Sequence, residues 1–155
     1  MQDNHYAPPK ADVEGALTEA ATAPPLWNPN AAASWSLLFT PIFGTWLHWR
    51  NWVALGEAER AGTARTWFIA SVVLVVVSIL ISAGSGQRGS GVRILNFAVL
   101  IGWYYAGAKP QVKYVAERFG DTYARQGWAR PILSAIGAIV AAIVVVTVLV
   151  VLRLL

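Results

Sequence analysis

The sequence predicts an all-α integral membrane protein, and three observations predict it. From Pro131 to Leu152 the chain runs 22 residues without a charge, bounded by Arg130 and Arg153. At about 1.5 Å per helical residue, such a run spans roughly the ~30 Å hydrocarbon core of a bilayer. Two further uncharged stretches, Thr66–Gln87 and Ile94–Ala108, repeat the pattern. Only 13% of the 155 residues are charged and 56% are hydrophobic, against about 25% charged in a soluble domain. The expected architecture is three transmembrane helices, an N-terminal kinked or re-entrant helical segment, and an amphipathic cytoplasmic helix at about 111–126.

Residues 1–30 read as a disordered acidic, Pro/Ala-rich tail, and 31–155 as a single membrane domain. The tail carries Asp3, Asp12, Glu14 and Glu19 against Lys10. It is broken by five prolines and repeats Ala-Pro-Pro at 7–9 and 23–25, the pattern of a spacer. Acidic and proline-rich, it lacks the basic and apolar regions of a signal peptide.

The first apolar segment runs from about 31 to 49, with Asn30 as a candidate N-cap after the Asn28-Pro29-Asn30 turn. Pro41 and Gly44 interrupt it near the middle. It is either a kinked full span, since proline is tolerated in membrane helices, or a re-entrant hairpin whose halves are each too short to cross. Asn51, just beyond it, is placed to cap backbone groups freed at the end of such a hairpin or to contact a ligand.

The second segment, about 66–83, is rich in Val and Ile. Ser71, Ser78 and Ser82 are spaced 7 and 4, on one helical stripe. The stripe suits either a hydrated pathway or close helix packing through small hydroxyl residues. In the third segment, about 94–108, Asn96 shares a face with Trp103 and Gly107. An amide at membrane depth requires a partner, so Asn96 is expected to face the bundle. The fourth, about 131–152, carries a small-residue ladder, Ser134, Ala138 and Ala142, through which it is expected to pack closely.

Orientation follows from charge. Loops 50–65 and 109–130 hold Arg50, Arg60, Arg65, Lys109, Lys113, Arg118, Arg125 and Arg130, while the opposite side has Arg88, Arg93 and Arg153. The positive-inside rule puts both longer loops in the cytoplasm. Trp46, Trp49, Trp67, Tyr104, Tyr105 and Trp128 fall at the same segment ends, as an aromatic belt would. Gly84–Gly91 is then an external linker. In the second loop, Val112, Val115, Phe119 and Tyr123 form an apolar stripe, with Lys113/Glu117 and Asp121/Arg125 as ion pairs four apart. The net charge of +4 sits beside membrane segments, which points to topology and lipid headgroups rather than nucleic acid.

Chemistry is sparse. With no cysteine, thiolate metal sites and cysteine nucleophiles are excluded. The three uncharged spans contain no Asp, Glu, Lys, Arg or His, and no catalytic set, phosphate loop or metal-ligand cluster can be assembled from the sequence. No cofactor is expected. His48, flanked by Trp46, Trp49 and Arg50, is a titratable group inside an apolar segment; it reads as an interfacial residue of the aromatic belt or as a pH sensor.

Pro41-x-x-Gly44, then Asn51-x-x-x-Leu55-Gly56 and Ala61 before a span, resembles an uncharacterised family of small bacterial inner-membrane proteins. Gln111, Gly120 and Trp128 before the last span resemble the same family, as does the run from Trp27 to Pro41. The resemblance covers about residues 27–152. It implies a bacterial inner-membrane location and no particular activity. Modules that some relatives carry at their N-termini favour an internal N-terminus, and so the hairpin reading.

The expected function is a non-enzymatic binding or accessory module for another membrane-associated protein. One concrete form is an immunity protein against a membrane-acting toxin. The alternative is a small oligomeric channel or transporter, motivated by the serine stripe and the broken helix at Pro41. The expected partners are the bilayer and a protein or a second copy of the chain.

Overall fold

The computed structural model describes residues 24–85 and 90–152, without the side chains of 82–85 and 90. Tail residues 1–23, the linker around Arg88, Ser82's side chain and Arg153 lie outside the described residues. Within them the chain is helical, and two helices are long and apolar enough to cross a membrane.

The first apolar segment folds as two antiparallel helices, α1 (Pro29–Phe39) and α2 (Pro41–Ala54). Asn28, rather than Asn30, caps α1: its Oδ1 accepts from the backbone N–H groups of Asn30 and Ala31 at 3.0 and 3.2 Å. Proline at the first helical position suits both starts, since its missing N–H has no intrahelical role there. Between the helices Thr40 adopts φ 125° and ψ 160°. That region is nearly exclusive to glycine and costs about 1–3 kcal/mol. The reversal is therefore imposed by packing on both sides of it.

Gly44 makes the close approach possible. A Cβ there would lie 1.8 Å from Ser36 Oγ and 2.6 Å from the Trp103 ring. Buried Ser36 and Thr45 return their hydroxyls to Ala32 O and Pro41 O, at 3.1 and 2.8 Å, so neither carries an unmet donor into the interface.

The expected loop 50–65 is mostly helix. α2 continues to Ala54, and α3 (Ala58–Ser85) starts four residues later. The turn is a Schellman ending: Glu57 N–H donates to Trp52 O, Gly56 N–H donates to Val53 O, and Gly56 sits at φ 73°. It sends α3 back along α2, where Trp49 stacks on Phe68 at 5.6 Å between centroids and Trp52 packs with Ala61 and Ala64.

The third segment is part of one helical run. α4 (Ser90–Trp103) passes through a π-helical turn (Tyr104–Ala108) into α5 (Lys109–Phe119) without a loop. Pro110 explains the turn. It has no N–H to offer the Ala106 carbonyl and its ring crowds that carbonyl, so the ladder widens locally. The expected helix at 111–126 thus begins at Lys109 and ends at Phe119, where Gly120 turns left-handed at φ 56°. Tyr123 still completes the apolar stripe, from beyond the helix, packing with Val115 and Leu26.

α6 (Ala129–Val151) follows. Its first turns dock on the hairpin through Trp128, Ile132 and Ala135, with Trp35 and Trp128 centroids 6.3 Å apart. Beyond them it stands away. Almost none of the apolar stretch of α3 or α6 is buried.

Candidate functional site

Polar residues converge at one end of the molecule, where α1 begins, α2 ends and α5 crosses. Asn51, fully buried, holds both backbone groups of Trp27. Its Oδ1 accepts from Trp27 N–H at 3.1 Å and its Nδ2 donates to Trp27 O at 2.8 Å. The same Nδ2 lies 3.4 Å from Gln111 Oε1, and Gln111 Nε2 donates to His48 O at 2.9 Å. One amide pair therefore ties the start of the hairpin to its end and both to α5. The two ends of the first apolar segment lie side by side.

The belt around this latch is laced to the chain beyond α5. Leu26 pairs as a two-residue parallel bridge with Arg125, through Leu26 N–H to Ala124 O at 3.0 Å and Gln126 N–H to Leu26 O at 2.9 Å. Trp27 Nε1 donates to Gly127 O at 3.2 Å. Leu26 is wholly buried, so the fold begins several residues before the expected boundary at Ala31.

His48 is buried inside the protein. Its Nε2 is 3.1 Å from Pro29 O, and its ring meets Trp103 edge-on at 5.3 Å. A carbonyl oxygen only accepts, so Nε2 carries a proton. Nδ1 is buried without a partner.

Beside the latch a cleft of about 520 Å³ separates the first turns of α3 from the π-turn and α5. Trp67, Trp103 and His48 line it together with Glu59, Arg60, Lys113, Tyr114 and Glu117. Arg60 lies over the rings of Trp52 and Tyr114, at 5.0 and 4.5 Å, and 4.0 Å from Glu57. Tyr114 Oη donates to Glu57 Oε1 at 2.5 Å, and this bond to a carboxylate raises the tyrosine pKa. Lys113 and Glu117 pair at 3.7 Å, both well exposed.

The serine stripe of α3 divides. Ser71 is buried, with no hydrogen-bond partner for its Oγ. Ser78 Oγ accepts from Asn96 Nδ2 at 2.8 Å, and the same amide donates to Val92 O at 2.8 Å. Asn96 thus faces α3, and this bond joins α3 to α4.

Ser134, Ala138 and Ala142 are brought together, but not into a close helix contact. All three are exposed and line an apolar groove of about 350 Å³ between α6, the tip of the hairpin (Thr40, Phe43) and Phe68 and Val75 of α3. Within the described residues only the start of α6, through Ile132 and Ala135, seats on the hairpin.

Gln111 is the member of the latch that residue-by-residue reading passes over. Its signal is an amide in line with Val115 and Phe119, four apart on an otherwise apolar stripe. Among the described residues no group of three His, Cys, Asp or Glu could hold a metal. No protein-family model, curated protein or solved structure matches the chain.

Proposed function

We propose that this chain is a multi-pass protein of the bacterial inner membrane. In this reading α1 and α2 form a re-entrant hairpin, while α3, α6 and the continuous run of α4 with its π-turn cross the bilayer. The antiparallel hairpin supports it: α1 and α2 are about 16 and 21 Å long, each short of the hydrocarbon core. The exposed apolar lengths of α3 and α6 support it too, because in water such surfaces would be covered. The end bearing the latch and the cleft is cytoplasmic by the arginine and lysine bias, and the hairpin returns the N-terminal tail to that side. An N-terminal reporter that fluoresces only in the cytoplasm should be bright; darkness, with activity from a reporter that works only outside, refutes the re-entrant hairpin.

Within that frame the chain acts as a non-enzymatic binding module for another membrane protein, and the occupant of the groove is a transmembrane helix of that partner. The observation that carries this reading is the uncovered Ser134/Ala138/Ala142 face. Small residues four apart let a second helix backbone approach closely, and among the described residues no helix covers the face. A photo-crosslinking residue at Ala142 should give an adduct with one distinct membrane protein, lost when Ala138 is enlarged to Leu. The same residue at Val148 should give only lipid adducts. An adduct of two copies of this chain would favour the small oligomeric channel, which liposome flux then tests. Ser78 bonded to Asn96 leaves less of the serine stripe for a hydrated path.

A further inference from the structure

The cleft between α3 and α5 has a chemistry that the groove lacks. Its mouth carries two carboxylates, Glu59 and Glu117, and two cations, Arg60 and Lys113, so the lining is balanced in charge. Its buried wall is formed by Trp103 and His48, with the half-buried Trp67 beside them. A cleft that is charged at the mouth and aromatic inside, at the level of the aromatic belt, matches an amphiphile at a bilayer interface.

We propose that this cleft holds the headgroup of a zwitterionic phospholipid of the phosphoethanolamine type. This rests on the membrane placement proposed above. The phosphate is met by Arg60 and Lys113. Arg60 is held in place by Trp52, Tyr114 and Glu57, and a guanidinium with five donors keeps several for a phosphate. Lys113's bond to Glu117 is an exposed pair of small worth, which a ligand phosphate can replace. The ammonium is met by Glu59, whose carboxylate has no ion-pair partner among the described residues, and by Glu117 once Lys113 has turned.

Two competing headgroups fit less well. A glycerol headgroup on an anionic lipid supplies the phosphate but leaves Glu59 uncompensated. A choline headgroup has no N–H to donate to a carboxylate and binds best within aromatic faces. Glu59 and Glu117 would then go without a charge-assisted hydrogen bond.

The test offers the full chain in detergent an equal mixture of phosphatidylethanolamine, phosphatidylglycerol and phosphatidylcholine vesicles, and reads the retained lipid by native mass spectrometry. Phosphatidylethanolamine should be retained in about fivefold excess over each of the others, the scale of one exposed ion pair. Glu59→Gln should abolish most of that excess, whereas Lys113→Gln should lower the retention of all three lipids together. Lys109→Gln should leave it unchanged, because Lys109 lies over Tyr105 and does not line the cleft. Equal retention, an excess of phosphatidylglycerol, or indifference to Glu59→Gln would overturn the proposal. So would binding of free O-phosphoethanolamine as tight as that of the lipid, which would assign the cleft to a soluble ligand. A chain that enters bilayers without discriminating among headgroups defeats only this assignment; one that stays out of bilayers defeats the membrane placement as well.

Discussion

The hairpin of α1 and α2 and the long helix α6 are both apolar in composition, yet they treat their side chains in opposite ways. The hairpin buries Ser36, Gly44, Thr45, His48 and Asn51, together with Ala32, Ala33 and Leu47. α6 buries only Pro131 and exposes Ile, Leu and Val along its whole length. In water the second pattern would be unstable and the first unusual. In lipid both follow from one rule. Apolar side chains gain nothing by leaving a hydrocarbon solvent, whereas polar and small groups gain partners and close contact by packing inward. The hairpin is held by hydrogen bonds and fit, and α6 by a short docked foot and its surroundings.

The comparison is broken most sharply at Asn51. Asn51→Leu keeps the volume and removes both bonds to Trp27, leaving a buried N–H and C=O without partners. At about 1–3 kcal/mol for each unsatisfied group, a loss of about 3 kcal/mol is expected. The readout is unfolding in a mild detergent titrated with a denaturing one. A loss under about 1 kcal/mol would mean that water replaces the amide there and that the hairpin base is open.

Gly44→Ala tests fit instead of bonding. The added methyl meets Ser36 Oγ, which can rotate only by giving up its bond to Ala32 O. It also meets Ser36 Cβ at 3.1 Å and the Trp103 ring, which cannot yield so easily. A loss of about 2 kcal/mol is expected from overpacking. Gly62→Ala in α3 is the control, because a Cβ there meets nothing within 4 Å. It should raise stability by up to about 1 kcal/mol through helix propensity. If the two substitutions act alike, α1 and α2 do not approach at Gly44.

Much of this architecture is legible in the residues, for local reasons. The charge-free runs mark α3 and α6, and the break at Pro41 marks the hairpin tip, because a proline and a glycine leave few other conformations. Asn96's need for a partner is legible because an amide among apolar residues has so few options. The exact layout of the polar end is not. Pairing Leu26 with Arg125, or Asn51 with Gln111, depends on chain segments dozens of residues apart, and no periodicity encodes it. The continuous run from α4 into α5 is hidden by Lys109-Pro110. A charge followed by a proline reads as a helix end, whereas the π-turn lets the helix absorb both. For α6, small residues four apart signal a capacity for close approach and do not say which helix supplies the other half.

That last point gives the weakest expected effect and the finest test of the comparison. Ala138 lies exposed on the groove wall, facing space instead of a neighbour. Ala138→Leu should therefore change the stability of the isolated chain by less than about 0.5 kcal/mol, as surface substitutions do. Val148→Leu, on a half-exposed apolar position nearer the helix end, should be equally silent. The two should separate only when the partner is present: the larger side chain at 138 occupies the groove and blocks helix approach, whereas the one at 148 does not. Stability measured in detergent and crosslinking measured in native membranes thus report different things at one residue. If Ala138→Leu alone lowers detergent stability by about 2 kcal/mol, as Gly44→Ala is expected to do, then α6 packs along its length as the hairpin does, and the contrast between the two regions disappears.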